Sequence, residues 1–148
     1  MLKTILAVAA AGIIAGASYL VAGPNAAAAE FILYKTPGCG CCESYADYLR
    51  DNDFTVTVRP THELTFMSRE AGIPDILQGC HLAFIDNYVV SGHVSVGIIN
   101  RILSERPDIK GVTLPGMPTG SPGMSGIKAG PFVIWEISES QPKVFAVE

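Results

Sequence analysis

An uncharged apolar run from Thr4 to Ala22 divides this chain into an N-terminal segment and one remaining domain. Lys3 provides a positive start, residues 23–25 interrupt the run, and the alanines up to Ala29 fit a signal-peptidase cleavage site. We therefore predict that residues 1–29 form a secretory signal peptide. Because the run has 19 residues, close to the roughly 20 that span a bilayer, an uncleaved membrane anchor is the alternative.

Both alternatives place residues 30–148 outside the cytosol, in a periplasm or an equivalent compartment that permits disulfides. The chain is 49% hydrophobic and only 16% charged, and the N-terminal segment accounts for the apolar excess. The rest has the composition and length of one globular domain. This excludes a multidomain enzyme, a repeat array and a polytopic membrane protein. With 14 acidic and 10 basic residues and no basic stripe, nucleic acid is not an expected partner.

Strands and helices alternate along the domain. Apolar or alternating runs predict strands at residues 31–34, 54–58, 82–86 and 88–90, of which the last two form a hairpin. Helical spacing predicts helices at residues 43–52, 62–71 and 95–105. Glycine and proline predict a loop over residues 111–130, and a closing hairpin follows at residues 132–137 and 143–147. This order favours an α/β fold, with a thioredoxin-like layer in which a cysteine motif begins the first helix.

The cysteine motif Cys39-Gly40-Cys41-Cys42 lies at the predicted turn between the first strand and the first helix. Cys39 and Cys42 have the redox spacing C-x-x-C, and Cys39 and Cys41 have the C-x-C spacing common in metal sites. A helix N-terminus favours thiolates, which are both nucleophiles and ligands for soft metals. Adjacent cysteines suit a polynuclear site, where each sulfur can bridge two ions. A stabilising disulfide within the motif is the alternative, although the loop that it closes is short.

Cys80 comes just before the third predicted strand. In thioredoxin-like layouts this point faces the first cysteine motif, and most such proteins have a cis-proline there. A fourth cysteine could complete a four-thiol site, whereas a structural disulfide to one of the other cysteines is the alternative. His93, at the start of the third helix, is a candidate ligand, and His81, next to Cys80, is a weaker one. His62 has no expected role.

Two methionines, Met117 and Met124, lie on the glycine- and proline-rich loop, where packing reasons for methionine are weak. Thioether sulfur is a soft ligand and selects Cu(I) over harder ions. In an oxidising compartment, loop methionines beside thiols indicate copper, and the alternative is that they only anchor the loop. Met67 fits a helix face and is predicted to be core. The chain has no C-x-x-C-H, H-E-x-x-H, G-x-S-x-G or phosphate-loop motif.

Four motifs together resemble the CopG-like family of exported copper-resistance proteins, long described as a domain of unknown function. They are residues 36–42, 79–81, 92–94 and 116–124, and the resemblance extends over nearly all of residues 31–135. It implies a thioredoxin-like fold and a role in periplasmic copper tolerance, with redox activity toward copper as a proposed addition. It also implies a ligand set of Cys39, Cys41, Cys42 and Cys80, with Met117, Met124 and His93 as second-rank ligands.

We therefore predict a periplasmic copper-binding protein that holds Cu(I), in a thiolate-bridged polynuclear site, and interconverts Cu(I) and Cu(II). The redox candidates are Cys39 and Cys42. The expected partners are copper ions and periplasmic copper-handling or electron-transfer proteins, with membrane contact only if the N-terminal segment is uncleaved. One alternative is a metal-independent thiol–disulfide oxidoreductase, with Cys39 as nucleophile and Cys42 or Cys80 as resolving thiol. Another is a structural disulfide or zinc domain used for protein interaction.

Overall fold

A computed structural model describes residues 29–148, so all but the last residue of the predicted signal peptide, 1–29, lies outside the described residues. Within them the chain forms seven strands, which are β1 Glu30–Lys35, β2 Thr55–Pro60, β3 His81–Ile85, β4 Tyr88–Gly92, β5 Gly111–Leu114, β6 Val133–Ile137 and β7 Val144–Val147. The helices are α1 Gly40–Arg50, α2 Leu64–Glu70 and α3 Val96–Glu105, and a short 3-10 turn spans Asp75–Leu77. No helix in this part of the chain combines the length and the apolar character that crossing a bilayer requires.

All seven strands join one mixed sheet in the order β2-β1-β3-β4-β5-β6-β7. The strand pairs β1–β2 and β4–β5 are parallel, because α1 and α3 carry the chain back across the sheet between them. The other neighbouring pairs are antiparallel. The α/β class and both predicted hairpins are therefore confirmed. The assignment of a thioredoxin-like layer, and of residues 30–148 as one copper-binding domain, stays a prediction.

The prediction of a loop over residues 111–130 is wrong for its first four residues, which form β5. All four are buried, and a short strand buried on both faces shows no alternation of polar and apolar residues. Gly111 permits the pairing with β4, since a Cβ atom there would lie 1.8 Å from the main-chain oxygen of Val89. The loop is therefore the shorter segment between β5 and β6.

The sheet has an apolar cluster on each face, because strand side chains alternate between the two faces. On one face Phe31 and Leu33 pack with buried residues of α1 and α3. On the other face Leu82 and Val89 pack with Leu64 of α2. Met67 is partly buried against this second cluster, as its position on a helix face predicts. The candidate site lies where β1 ends and β3 begins.

Candidate metal centre

The first three cysteines lie where α1 begins. Gly38 turns the chain with a φ of 78°, and the main-chain N–H of Cys39 donates to the Thr36 carbonyl at 3.2 Å. Cys39 is the N-cap of α1, with extended backbone, so Cys41 and Cys42 fall in the first helical turn. The predicted position of the motif, at a strand-to-helix turn, is confirmed. The helix starts earlier than the predicted residue 43, which brings two of the cysteines into it.

Sheet register brings Cys80 to the same place. In the antiparallel pair of β1 and β3, Lys35 is opposite His81, so the residues after β1 and before β3 are neighbours. Gly79 allows a close approach there, since a Cβ atom would lie 2.4 Å from the main-chain nitrogen of Gly92. Its N–H also donates to Ser91 Oγ at 2.9 Å. These contacts hold Cys80 opposite the cysteine motif, as predicted.

The four sulfur atoms of Cys39, Cys41, Cys42 and Cys80 all lie within 4.8 Å of one another. Cys41 Sγ is 3.5 Å from Cys39 Sγ and 3.9 Å from Cys80 Sγ. Cys39 and Cys42 are joined as a disulfide, whereas Cys41 and Cys80 are free and partly buried. The structure therefore has a disulfide within the cysteine motif, which was the alternative to a metal site there, and Cys80 is not part of a disulfide. Once that disulfide is reduced, the cluster offers four thiols in one volume.

Two histidines border the cluster next to Cys80. His93 Nε2 lies 3.2 Å from Cys80 Sγ, and His81 Nδ1 lies 3.6 Å from the same atom. Both rings are buried, and His81 Nε2 has no hydrogen-bond partner among the described residues. His81 is therefore nearly as close to the Cys80 thiol as His93 is, although its adjacency to Cys80 was the only sequence signal for it. His62 is exposed on the surface and lies outside the cluster.

Burial controls the protonation of these groups. Burial lowers the pKa of His81 to about 3, with a further contribution from His93, and burial also lowers the pKa of His93. Both imidazoles are thus neutral at pH 7, which is the form that binds metals. Burial and the neighbouring Cys41 raise the pKa of Cys80 to about 12. Its thiol is therefore protonated in the apo chain, and a metal would displace that proton.

Two residues that the sequence analysis did not single out also contribute to the site. Tyr45 is buried in α1, and its ring stacks on His81 with centroids 4.6 Å apart and lies 5.0 Å from the ring of His93. Lys35, with a side chain only 6% exposed, places its Nζ 3.0 Å from Glu43 and 3.5 Å from the Cys39 carbonyl. The Tyr45 ring therefore packs on the histidine side of the site, and a buried positive charge lies at the backbone of the cysteine motif.

The glycine- and proline-rich loop packs against the site through Pro122 and Gly123. The Pro122 carbonyl oxygen is 2.5 Å from His93 Nδ1, and a Cβ atom at Gly123 would lie 2.6 Å from the Tyr45 nitrogen. Met124 comes next in the chain and is partly buried. Met117 lies in the turn that follows β5 and is 42% exposed. The ligand role of both methionines stays a prediction.

The metal-binding character of this cluster agrees with what the chain is similar to. A family model described as "Protein of unknown function, DUF411" matches residues 77–124, and no curated protein matches the chain. A solved structure described as "Copper resistance protein copG- Form 2" is 31% identical with a TM-score of 0.76, covering 82% of this chain and 99% of its own. Another, "Copper resistance protein copG- Form 1", is 31% identical with a TM-score of 0.74, covering 80% and 96%. The resemblance seen in the sequence is confirmed, and the chain belongs to the family of the copper resistance protein CopG.

Proposed function

We propose that this chain is an exported copper-binding protein that contributes to copper tolerance and holds Cu(I) on cysteine thiolates. The observation that carries the proposal is the set of four cysteine sulfurs within 4.8 Å of one another. Thiolate is the protein ligand that selects soft ions such as Cu(I). The relatives described as copper resistance proteins support copper as the ion, and the predicted signal peptide supports a periplasmic location.

The arrangement favours more than one ion. Cys41 Sγ lies between Cys39 Sγ at 3.5 Å and Cys80 Sγ at 3.9 Å, so its thiolate could bridge ions that the other sulfurs hold. Neutral His93 can add a nitrogen ligand, and Met117 and Met124 remain second-rank ligands. A structural zinc site fits less well, because Cys41 and Cys42 are adjacent in the chain, which is awkward for one tetrahedral ion, and because zinc sites favour Cys and His over methionine.

Cys39 and Cys42 also provide electrons. When their two thiols close to a disulfide, two electrons and two protons leave, and two Cu(II) ions become two Cu(I) ions. A Cys39–Cys42 disulfide, as in this structure, would be the product of that reaction. A periplasmic electron-transfer protein would then return two electrons and two protons to the pair. Copper-handling proteins would receive the Cu(I).

X-ray absorption of the fully reduced protein titrated anaerobically with Cu(I) tests the proposal. We expect copper–sulfur scattering as the main feature, and fewer bound ions in a Cys80→Ser variant. The matched control is His62→Gln, which changes an exposed residue outside the cluster. A spectrum without copper–sulfur scattering in the reduced wild-type protein would refute the proposal.

A metal-independent thiol–disulfide oxidoreductase is the second candidate. It is favoured by the Cys39–Cys42 disulfide at the start of α1, where a helix N-terminus stabilises the thiolate that leaves. This candidate requires catalysed reduction of insulin without any metal. Replacing Met117 and Met124 together by leucine separates the two functions in cells. Lost copper tolerance supports copper binding, and unchanged tolerance together with metal-free reduction of insulin favours the oxidoreductase.

A further inference from the structure

The closed disulfide removes two of the four thiolate ligands. Sulfur atoms joined to each other carry no thiolate charge, so Cys39 and Cys42 are poor ligands in this state. The two remaining thiols, Cys41 and Cys80, are 3.9 Å apart and both partly buried. This distance lets a single ion lie between both sulfurs, since copper–thiolate bonds resemble the Zn–S bond of about 2.3 Å.

His93 is oriented as a third ligand to that ion. The Pro122 carbonyl can only accept a hydrogen bond, so its 2.5 Å contact requires the proton of the neutral ring to be on Nδ1. The lone pair of Nε2 is then directed to the cluster, 3.2 Å from Cys80 Sγ. A backbone carbonyl that holds the far nitrogen is the usual arrangement around a metal-binding histidine. The loop thus fixes both the ring and its tautomer.

His81 gives a second indication of a ligand on the histidine side of Cys80. Its ring is fully buried, and its Nε2 has no hydrogen-bond partner among residues 29–148. A ligand atom of His81 also lies within 4.8 Å of those of Cys80 and His93. Buried polar atoms are nearly always satisfied, so the unpartnered Nε2 indicates a missing partner for this ring, whose other nitrogen, Nδ1, lies 3.6 Å from Cys80 Sγ. The histidine side therefore has two nitrogen donors beside a free thiol.

We propose that the oxidised chain keeps a smaller copper site, a single Cu(I) held by Cys41, Cys80 and His93, with His81 adjacent. This inference rests on the proposed function and adds to it a second metal-holding state. The reduced chain holds copper on four thiols, and the oxidised chain holds one ion on a mixed sulfur–nitrogen set. Copper then stays bound after electrons have left Cys39 and Cys42. The oxidised chain would keep part of its copper until a reductant opens the disulfide.

Copper counting on the oxidised protein tests this inference. Alkylation of the free thiols followed by intact mass verifies that the disulfide is closed. Cu(I) is then added anaerobically without reductant, and the protein is passed over a desalting column to remove unbound copper. We expect one copper ion per oxidised chain, with copper–nitrogen as well as copper–sulfur scattering, and more than one per reduced chain. His93→Gln and Cys41→Ser should each weaken Cu(I) binding by the oxidised chain about tenfold or more. His62→Gln should leave that affinity unchanged.

Each outcome has one meaning. An oxidised chain that binds no copper, while the reduced chain binds several ions, overturns this inference and leaves the proposed function standing. Oxidised-state binding that neither His93→Gln nor Cys41→Ser weakens overturns the assigned ligand set. A reduced chain that binds no copper refutes the proposed function itself. His93→Gln changes a buried ring and Cys41→Ser changes a partly buried thiol. If one of these variants misfolds, the other still tests the inference.

Discussion

The hydroxyl of Tyr45 donates a hydrogen bond of 2.8 Å to the main-chain carbonyl oxygen of Val94. This bond joins α1 to the segment between β4 and α3, and the Tyr45 ring packs on both histidines of the site. One buried side chain therefore positions the cysteine-bearing helix relative to His81 of β3 and His93, which follows β4.

Tyr45→Phe should lower the free energy of unfolding by about 1–2 kcal/mol, because it leaves the buried Val94 carbonyl without a partner. Urea denaturation of the apo protein measures this change. Tyr34→Phe is the matched control, since its hydroxyl contacts the exposed side chain of Arg59. Equal effects of the two substitutions would show that the Tyr45 hydroxyl has no special role in docking α1.

Gly79→Ala should destabilise the chain by about 2–3 kcal/mol, because the added Cβ meets the backbone of Gly92 and cannot be relieved by a side-chain movement. The residue next to it is Cys80, so copper binding to the reduced chain should weaken as well. Urea denaturation and Cu(I) titration measure the two effects. Gly130→Ala provides the control, since a Cβ there meets nothing within 4 Å. A stable Gly79→Ala variant with normal copper binding would contradict this account of how Cys80 is held.

Acid should destabilise the apo chain between about pH 6.5 and pH 3. The pKa of His81 falls from its usual 6.5 to about 3 on folding, so within this range the unfolded chain binds a proton that the folded chain does not. The contribution of His81 is complete above pH 6.5 and is lost as the pH falls, by about 1.4 kcal/mol per unit. His93, whose pKa is also lowered, acts in the same direction.

Urea denaturation at a series of pH values measures that slope. Replacing His81 by Gln should reduce the loss of stability between pH 6.5 and pH 4.5, because one of the two buried groups no longer titrates. His62→Gln, a change at an exposed histidine, is the comparison. A His81→Gln slope as steep as that of the wild-type protein would contradict a neutral, buried His81.

Glu43 and Lys35 form an ion pair in which the Glu43 side chain is 53% exposed and the Lys35 side chain only 6% exposed. Glu43→Gln should therefore destabilise the chain by about 1–2 kcal/mol, which is less than the loss expected for a fully buried pair. The loss leaves a buried ammonium without its counter-charge. Adding Lys35→Met to Glu43→Gln should restore most of the stability, since the buried charge is then gone. Thermal unfolding of the single and double variants checks this. Glu105→Gln is the control, because its partner Arg101 is exposed. A double variant no more stable than Glu43→Gln alone would contradict the charge argument.

Local sequence patterns were sufficient for most elements and for the position of the cysteine motif. The helix after Cys39 and the hairpin of β3 and β4 are each encoded by periodicity and by turn residues within a short window. β5 was missed because four residues buried on both faces have no period to detect. Its identity as a strand comes from its pairing with β4, which is a contact between distant parts of the chain.

The site was predictable to the extent that its residues carry unusual chemistry. Cysteines and histidines stand out by type, so Cys80 and His93 could be assigned before any geometry was known. Lys35 and Tyr45 could not be assigned in this way, because lysine and tyrosine are common residues. The register of Lys35 opposite His81 and the packing of α1 bring them to the site, and neither is visible in the sequence. The sequence also cannot decide which cysteines pair, since three of them lie within four residues.

Cys41 and Cys80 are separated by 39 positions in the chain and by 3.9 Å in space. A metal ion bound to both would act as a removable cross-link that closes a loop of that length. Such closures lower the entropy of the unfolded chain, and a ligand held only by the folded form adds its binding energy to stability. Copper bound to both sulfurs would therefore raise the free energy of unfolding, and it would hold the start of α1 to the start of β3 for as long as the ion stays bound.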